Sequence, residues 1–195
     1  MFDQISSYID KYLSPSLFGF RKGYSTQYCL CVMINKWNKA MDSGKLAGAL
    51  LTDLSKAFDC LNHELLIAKL EAYGFDNPSL RYIYSYLSDR KQRTKVNNSF
   101  SDWCNIVSGV PQGSILGPLL FNIYINYIFY FIDMSDIANY ADDTTPFVVE
   151  KTIDSLLESL EKDTAALIKW FRDNYLKLNA DKCHLLISNH IIAEI

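Results

Sequence analysis

The stretch Asn139-Tyr140-Ala141-Asp142-Asp143 most constrains how this chain can fold. Two adjacent aspartates lie between apolar segments, Tyr130-Phe131-Ile132 upstream and Phe147-Val148-Val149 downstream. Side-by-side carboxylates repel each other and are costly to bury unpaired. A tight strand–turn–strand with the acids at its tip leaves them open to water or to a cation. Taken alone, the stretch reads as an acidic surface turn. A further acid in an equally apolar setting changes that reading. Asp53 follows Leu46-Ala47-Gly48-Ala49-Leu50-Leu51-Thr52, which reads as a buried strand. If the two strands are neighbours, Asp53 and Asp142 can share divalent metal ions. Two-metal sites hold ions about 3.5–4 Å apart and stabilise the attacking and leaving oxygens of an in-line phosphoryl displacement.

The 195 residues suffice for one domain with a sizeable core, or a domain with a small appendage, and 49% hydrophobic against 21% charged residues excludes a disordered chain. Five cysteines, odd in number and without a CxxC pair, favour reduced intracellular thiols over disulfides or zinc. Asp3 and Asp10 interrupt the apolar residues a secretory signal would need, so a nuclear or cytoplasmic protein, not a secreted one, is expected. The most apolar run, Leu119 to Ile132, contains Asn122 and Asn126; it is short for a membrane span and reads as a buried helix. The formal net charge of −3 gives no general attraction for nucleic acid. Two basic clusters, Arg21-Lys22 and Arg90-Lys91-Gln92-Arg93-Thr94-Lys95, are either local binding fields or solvated turns.

Along the chain, Phe2, Ile5, Ile9 and Leu13 form a helical stripe that Pro15 ends. A helix capped at Ser25 or Thr26 runs to about Met41 and stops before Gly44. Asn62 caps the next helix, Gly74 closes it, and Pro78 opens another to about Leu87. Residues 90–100 read as a strand and an Asn-rich turn. Residues 108–118 form a shaped Gly/Pro loop, with Pro118 expected at the first position of a buried helix 118–132. Residues 153–173 are an amphipathic helix with Leu156, Leu157, Leu160, Leu167, Ile168 and Phe171 on one face, and 176–187 a turn between short strands. No repeat, low-complexity tract or linker is visible. Strands and helices mix without a βαβ rhythm, which favours α+β.

The ordered set of a Gly19-Phe20-Arg21 loop, a strand with D-L-S-K-A-F-D from Asp53, the G-V-P-Q-G-S-I-L-G-P loop from Gly109 and Y-A-D-D from Tyr140 resembles the reverse transcriptase domain of non-LTR (LINE-type) retrotransposons. Y-A-D-D alone is a weak signal; the ordered set is specific and spans Leu17 to Ile187. The resemblance implies a right-hand polymerase palm, a ferredoxin-like antiparallel sheet backed by helices, over 46–187, a partial fingers region over 1–45, and a tail at 188–195. It implies an RNA-directed DNA polymerase acting on an RNA template, a DNA primer and dNTPs. Asp53, Asp142 and, more peripherally, Asp143 would hold two Mg²⁺ ions, with Mn²⁺ as a substitute. The Leu54 backbone and Phe58 would flank the nucleotide, Phe58 beneath its sugar. Gly109, Pro111, Gln112 and Gly113 match the loop that contacts template and nucleotide, with Gln112 on the nucleotide side. Arg21 matches a fingers motif facing template and primer. Lys182 would protonate the leaving pyrophosphate.

Each residue also has a plainer reading: Phe58 as core, Gln112 as a turn residue, Lys182 as an exposed lysine near a turn, Asp59 as a helix-entry residue. The chain departs from the family at Tyr127, where the family carries an acid. It has only 16 residues before Leu17, where the family has further basic fingers sequence. Residues 188–195 are shorter than a thumb, and no endonuclease region is present. A catalytically inactive remnant that binds nucleic acid or protein is the alternative. A two-metal nucleotide cyclase is a third reading, disfavoured because it needs no template-contacting loop.

Overall fold

A strand that is small in its middle, Ala47-Gly48-Ala49, can be covered closely on both faces, and the computed structural model uses it that way. It describes residues 2–188. In chain order the elements are α1 (Phe2–Ile9), α2 (Thr26–Asp42), β1 (Leu46–Leu51), α3 (His63–Ala72), α4 (Asn77–Leu87), four two-residue strands β2 (Lys91–Gln92), β3 (Lys95–Val96), β4 (Ser99–Phe100) and β5 (Cys104–Asn105), then α5 (Leu116–Ile125), β6 (Asp136–Tyr140), β7 (Asp143–Glu150), α6 (Ile153–Asp173) and β8 (His184–Ile187).

The main sheet has four strands in the order β6-β7-β1-β8, all antiparallel. With α3 to α5 between β1 and β6, and α6 between β7 and β8, this is the β-α-β-β-α-β ferredoxin-like arrangement expected of a palm. The register sets Ala49 opposite Phe147 and Gly48 opposite Val148. Neighbouring residues point to opposite faces. Ala49, Phe147 and Ala138 therefore meet α2 through Cys29, Val32 and Met33, while Val148 packs on Leu156 and Leu160 of α6. A Cβ on Gly48 would come within 2.6 Å of Leu156, so glycine sets how closely α6 lies.

A larger core lies beside the sheet around α5, whose residues 119–125 are all buried. Leu66 and Leu70 of α3, Ile83 and Leu87 of α4, and Leu167 and Phe171 of α6 join it, as do Ile5, Ile9, Leu13 and Leu17. The first 17 residues thus contribute to the core beside the sheet. The expected caps are present: Ser25, Asn62 and Asp76 each accept a backbone N–H from the first turn of their helix.

Several expectations are corrected. The helix after the Gly/Pro loop begins at Leu116, so Pro118 lies third rather than first, still within the turn whose N–H groups need no helical partner. Its α-form ends at Ile125 and tightens into a 3₁₀ turn over Asn126–Tyr130. Asn126 fixes that change by accepting from the Ser14 N–H (2.7 Å) and donating to the Tyr12 carbonyl (3.0 Å). Tyr130 and Phe131 are exposed, and the strand entering the acidic turn starts later, at Asp136. On α6, Leu157 and Ile168 face outward; Trp170 and Asp163 are buried in their stead. Residues 90–105 form two ribbons, β2 with β5 and β3 with β4, rather than one strand and a turn. Ser188 continues the pairing of β8, donating its N–H to the Ala47 carbonyl; residues 189–195 of the expected tail lie outside the described residues. No helix among the described residues is long and apolar enough to cross a membrane.

Candidate active site

The acidic turn joins β6 to β7, with Tyr140 paired to Asp143 and Ala141 in the left-handed region at φ 59°. For a residue with a Cβ that conformation is uncommon and needs local support. Asn139, fully buried beneath the turn, supplies it. Its Nδ2 donates to the carbonyls of Ala141 (3.1 Å) and Asp143 (3.2 Å) and to Thr144 Oγ1 (2.9 Å). Thr52 Oγ1 donates to the Thr144 carbonyl at 2.6 Å, which ties the end of β1 to the turn. The Gly19 loop clamps it from outside: the Phe18 N–H donates to the Asn139 carbonyl, and the Asn139 N–H to the Ser16 carbonyl. A Cβ on Gly19 would meet the Ala141 nitrogen at 2.3 Å. Asn122, buried in α5, donates to the Gly19 carbonyl at 2.8 Å.

Asp53 lies one residue past the Thr52–Thr144 bridge, so antiparallel register sets it opposite Asp143, with Asp142 in the turn beside them. The Asp53 carboxylate accepts from Asn179 Nδ2 (2.9 Å) and lies 3.5 Å from Lys182 Nζ. Its carbonyl accepts the Asn179 N–H, and Leu54 bridges Leu178. The Asp143 side chain reaches the surface, yet its pKa is pushed above the ordinary carboxylate value, first by partial removal from water and then by the negative charges of Asp142 and Asp53. A carboxylate whose ionisation is opposed by two neighbouring carboxylates suits a hard divalent cation. Among the described residues no three acid, histidine or cysteine side chains come together as a group that could by itself hold a metal ion. Mg²⁺ commonly takes one or two protein carboxylates and completes its shell with waters and substrate phosphates, so the donor set fits without a closed cage.

The Gly109–Gly113 loop packs on the turn that follows Asp53. Gly109, at φ 83°, donates its N–H to the Leu61 carbonyl, and a Cβ there would lie 2.7 Å from Asp59 Cα. His63 Nε2 donates to the Gly109 carbonyl (2.7 Å), and the Val110 N–H donates to the Phe58 carbonyl. Gln112 Nε2 donates to Asp59 Oδ1 at 3.0 Å, which gives Asp59 a role in holding this loop. Gly113, at φ 77°, serves the turn itself. The half-buried Phe58 stacks on Phe121 at 4.6 Å and meets exposed Phe20 edge-on. Phe58, Val110, Pro111, Gln112, Gly113 and Ile115 line a cleft of about 420 Å³.

Arg21 is turned inward. Its side chain is only 7% exposed, pairs with Asp10 at 2.8 Å and donates to the Ser14 and Leu17 carbonyls. Those partners consume its donors, so it braces the Gly19 loop from behind and leaves Lys22 exposed.

With this geometry in view, the comparisons with known proteins are direct. The family described as "Reverse transcriptase (RNA-dependent DNA polymerase)" matches residues 1–192. The chain belongs to the reverse transcriptase family. It is 31% identical over 172 residues to the probable RNA-directed DNA polymerase from transposon BS of Drosophila melanogaster, covering 85% of this chain and 19% of that protein. It is 29% identical over 182 residues to the RNA-directed DNA polymerase from mobile element jockey of the same species, covering 90% and 20%. The chain thus spans about a fifth of the length of these relatives. Its fold is similar to telomerase from Candida tropicalis in complex with a fragment of telomeric RNA, with TM-score 0.72 at 14% identity over 96% of this chain and 33% of that one. An apo form truncated from its C-terminal domain gives 0.69 at 12% identity over 98% and 40%. Both likenesses concern the fold.

Sequence reasoning did not assign roles to Asn122, Asn139, Thr52, Thr144 or Asn179. Asn139 and Asn179 stand within the motif stretches already singled out, and a buried amide beside a strained turn is the signal that could have marked the first.

Proposed function

We propose that this reverse transcriptase domain adds deoxynucleotides to a primer 3′ end on an RNA template. The observation that carries the reading is the convergence of Asp53, Asp142 and Asp143 at the adjoining ends of β1 and the β6–β7 turn. The bond that forms joins the primer 3′ oxygen to the α-phosphorus of the nucleotide; the bond that breaks frees pyrophosphate. Two Mg²⁺ ions held by these acids would neutralise the charge that develops on the phosphoryl oxygens. In this reading Lys182, whose Nζ lies 3.5 Å from Asp53, gives a proton to the leaving group. Phe58, stiffened by Phe121, offers a flat wall against which a deoxyribose fits and a 2′-hydroxyl collides. By the same reading Gln112 contacts the nucleotide, Gly109, Pro111 and Gly113 contact the template, and the Leu54 backbone, next to Asp53, lies near the metals; Pro111, Gln112 and Gly113 line the cleft with Phe58. In this reading residues 46–187 are the palm and 1–45 contribute to the fingers. The five free cysteines suit a reducing nuclear or cytoplasmic setting.

One observation favours the second reading, an inactive remnant: Asp53 is already engaged by Asn179 and Lys182. Primer extension separates the two. Residues 1–195 are incubated with a primed RNA, deoxynucleotides and Mg²⁺ or Mn²⁺. Templated product that falls about 10³-fold in a folded Asp142→Asn variant supports polymerisation. Absence of product in the wild type, or equal product in the variant, refutes it for this chain.

A further inference from the structure

The basic cluster at 90–95 has no part in the site described above, and the structure shows what surrounds it. Every residue from 89 to 105 is exposed. Strands of two residues each hold this segment, with Asn97 at φ 51° in the tip of the β3–β4 ribbon. The aromatic residues that elsewhere fill the core here stand in water. Trp103 is 60% exposed and Phe100 52%. The Arg93 guanidinium lies over both rings, 3.9 Å from Phe100 and 4.5 Å from Trp103, and Lys95 Nζ lies 5.3 Å from Phe100. Among the described residues no carboxylate comes within 4.0 Å of Arg90, Lys91, Arg93 or Lys95, although Asp89 and Asp102 are in the same segment. In a chain of net charge −3 this is a local positive field with its cations free.

The β2–β5 part of the patch is also continuous with the Gly109 loop. A groove of about 650 Å³ is lined by Arg90, Lys91, Gln92, Asn105, Gly109, Pro111 and Gln112, with Lys56 and with Asp59, whose carboxylate is engaged by Gln112. Cations without acidic partners attract phosphates, and exposed rings accept any base on their π-faces. That pairing of groups selects unpaired nucleic acid over a duplex, whose bases are already stacked. An acidic peptide would satisfy the cations but has no use for the rings.

We propose that the β2–β5 and β3–β4 ribbons form a docking surface for the single-stranded RNA template before it is copied. Arg90, Lys91, Arg93 and Lys95 take its phosphates, Phe100 and Trp103 stack its bases, and the groove leads it to the Gly109 loop. The direction of travel rests on the polymerase reading; the binding itself does not.

The test is fluorescence anisotropy on residues 1–195 in EDTA, so that no metal or catalysis enters. The probes are a primed RNA carrying a ten-nucleotide unpaired 5′ overhang and the same duplex with a blunt end. The overhang should tighten binding about tenfold or more. In Arg93→Ser/Lys95→Ser that gain should fall, and the plot of log affinity against log salt should flatten by about 1.4, two phosphate contacts at about 0.7 each for a single strand. In Trp103→Ala the gain should fall about tenfold with the salt slope unchanged. All these side chains are exposed, so circular dichroism should show the fold retained. Equal affinity for overhang and blunt duplex, or variants that leave the overhang's gain intact, overturns the inference. Overhang binding lost in Arg93→Ser/Lys95→Ser while extension stays normal also overturns it as a template path, without touching the polymerase reading. Overhang binding in a chain that fails to extend sinks only the latter.

Discussion

The acidic end of the candidate site and the basic segment 89–105 are held in different ways. At the acidic end, four segments distant in sequence meet within one turn of backbone: the Gly19 loop, Asn122 of α5, Thr52 of β1, and Asn139 with Thr144 across the hairpin. Buried amides and hydroxyls there satisfy carbonyls that water cannot reach. At the basic end, residues 89–105 bury almost nothing and carry two-residue strands. The first end is defined by geometry and the second by chemistry. Phosphoryl transfer demands positioning to a fraction of an ångström. Holding a flexible polyanion demands charge and π-surface, which tolerate movement. A segment with few buried contacts opens readily at little cost.

The largest structural effect should come from breaking the rigid end. Gly19→Ala places a methyl against the Ala141 nitrogen, where backbone rather than a flexible side chain must yield. The cost should be about 2–3 kcal/mol, a fall in Tm of about 5–10 °C by calorimetry. The matching change at the other end, Val96→Ala, should cost no more than about 0.5 kcal/mol because Val96 is exposed. Equal losses at both sites would contradict the contrast.

Phe58 lines the cleft beside the Gly109–Gly113 loop, and shrinking it tests whether shape or mere packing matters there. Phe58→Val in an extending enzyme should raise ribonucleotide use relative to deoxyribonucleotide use by about 10- to 100-fold, the size of effect a changed pocket wall gives. It should also lower stability by about 1–2 kcal/mol, since the Phe121 stack is lost. A stability loss with unchanged sugar preference would return Phe58 to the core.

Much of this was legible from the chain alone. The strand before Asp53, the hairpin at Tyr140–Asp143, the helix 153–173 and its partner helices follow from period, caps and glycines. What escaped was tertiary. Arg21 turns inward because Asp10 and two carbonyls, not visible as neighbours in sequence, capture it. Leu157 and Ile168 continue the apolar stripe of α6 but are left exposed, while Asp163 and Trp170 are buried. The α5 helix stops at Ile125 although its apolar pattern continues, since Asn126 bonds to the Tyr12–Ser14 segment. A buried amide reads in sequence like any polar residue until its carbonyl partners are known.

Divalent metal should sharpen the contrast by acting on one end alone. The three acids at the strand ends repel one another, so a bound ion relieves that cost and stabilises the fold through linkage. Mn²⁺ at ten times its Kd should add about 1.4 kcal/mol. By hydrogen exchange the protection should appear in β6, β7 and the end of β1, and not in residues 89–105. Asp142→Asn should reduce the gain, while Arg93→Ser should leave it. An equal metal-induced shift in wild type and Asp142→Asn would remove these acids as the ligands.

The smallest effect concerns a cation that, like Arg93, lies over aromatic rings with no carboxylate partner among the described residues, but is buried. This is Lys69, with Nζ donating to the Tyr124 carbonyl (2.6 Å) and Asn174 Oδ1 (2.5 Å). The rings of Tyr124, Trp170 and Tyr127 surround it at 4.3, 4.9 and 5.6 Å. Tyr127 stands where the family carries an acid, so ring faces replace a counter-ion. Burial lowers the Lys69 pKa from the ordinary 10.5 to about 7. Below about 7 the folded and unfolded chains both hold the proton, and the cost of burying the charge is complete. Above it the folded chain releases the proton while the unfolded chain keeps it, so stability rises with pH. Near 9 and above, the opposite slope begins, because Cys29 and then Tyr73 and Tyr124 stay protonated in the fold after their unfolded counterparts ionise. The clean window is therefore about pH 7 to 8.5, with a gain on the order of 1 kcal/mol in urea unfolding. Lys69→Met should abolish that slope. Arg93→Ser and Lys95→Ser, whose charges are exposed, should leave it as in the wild type. A slope that survives in Lys69→Met would show that its charge is accommodated in the core at no cost, and that lacking a carboxylate partner matters as little there as at the surface.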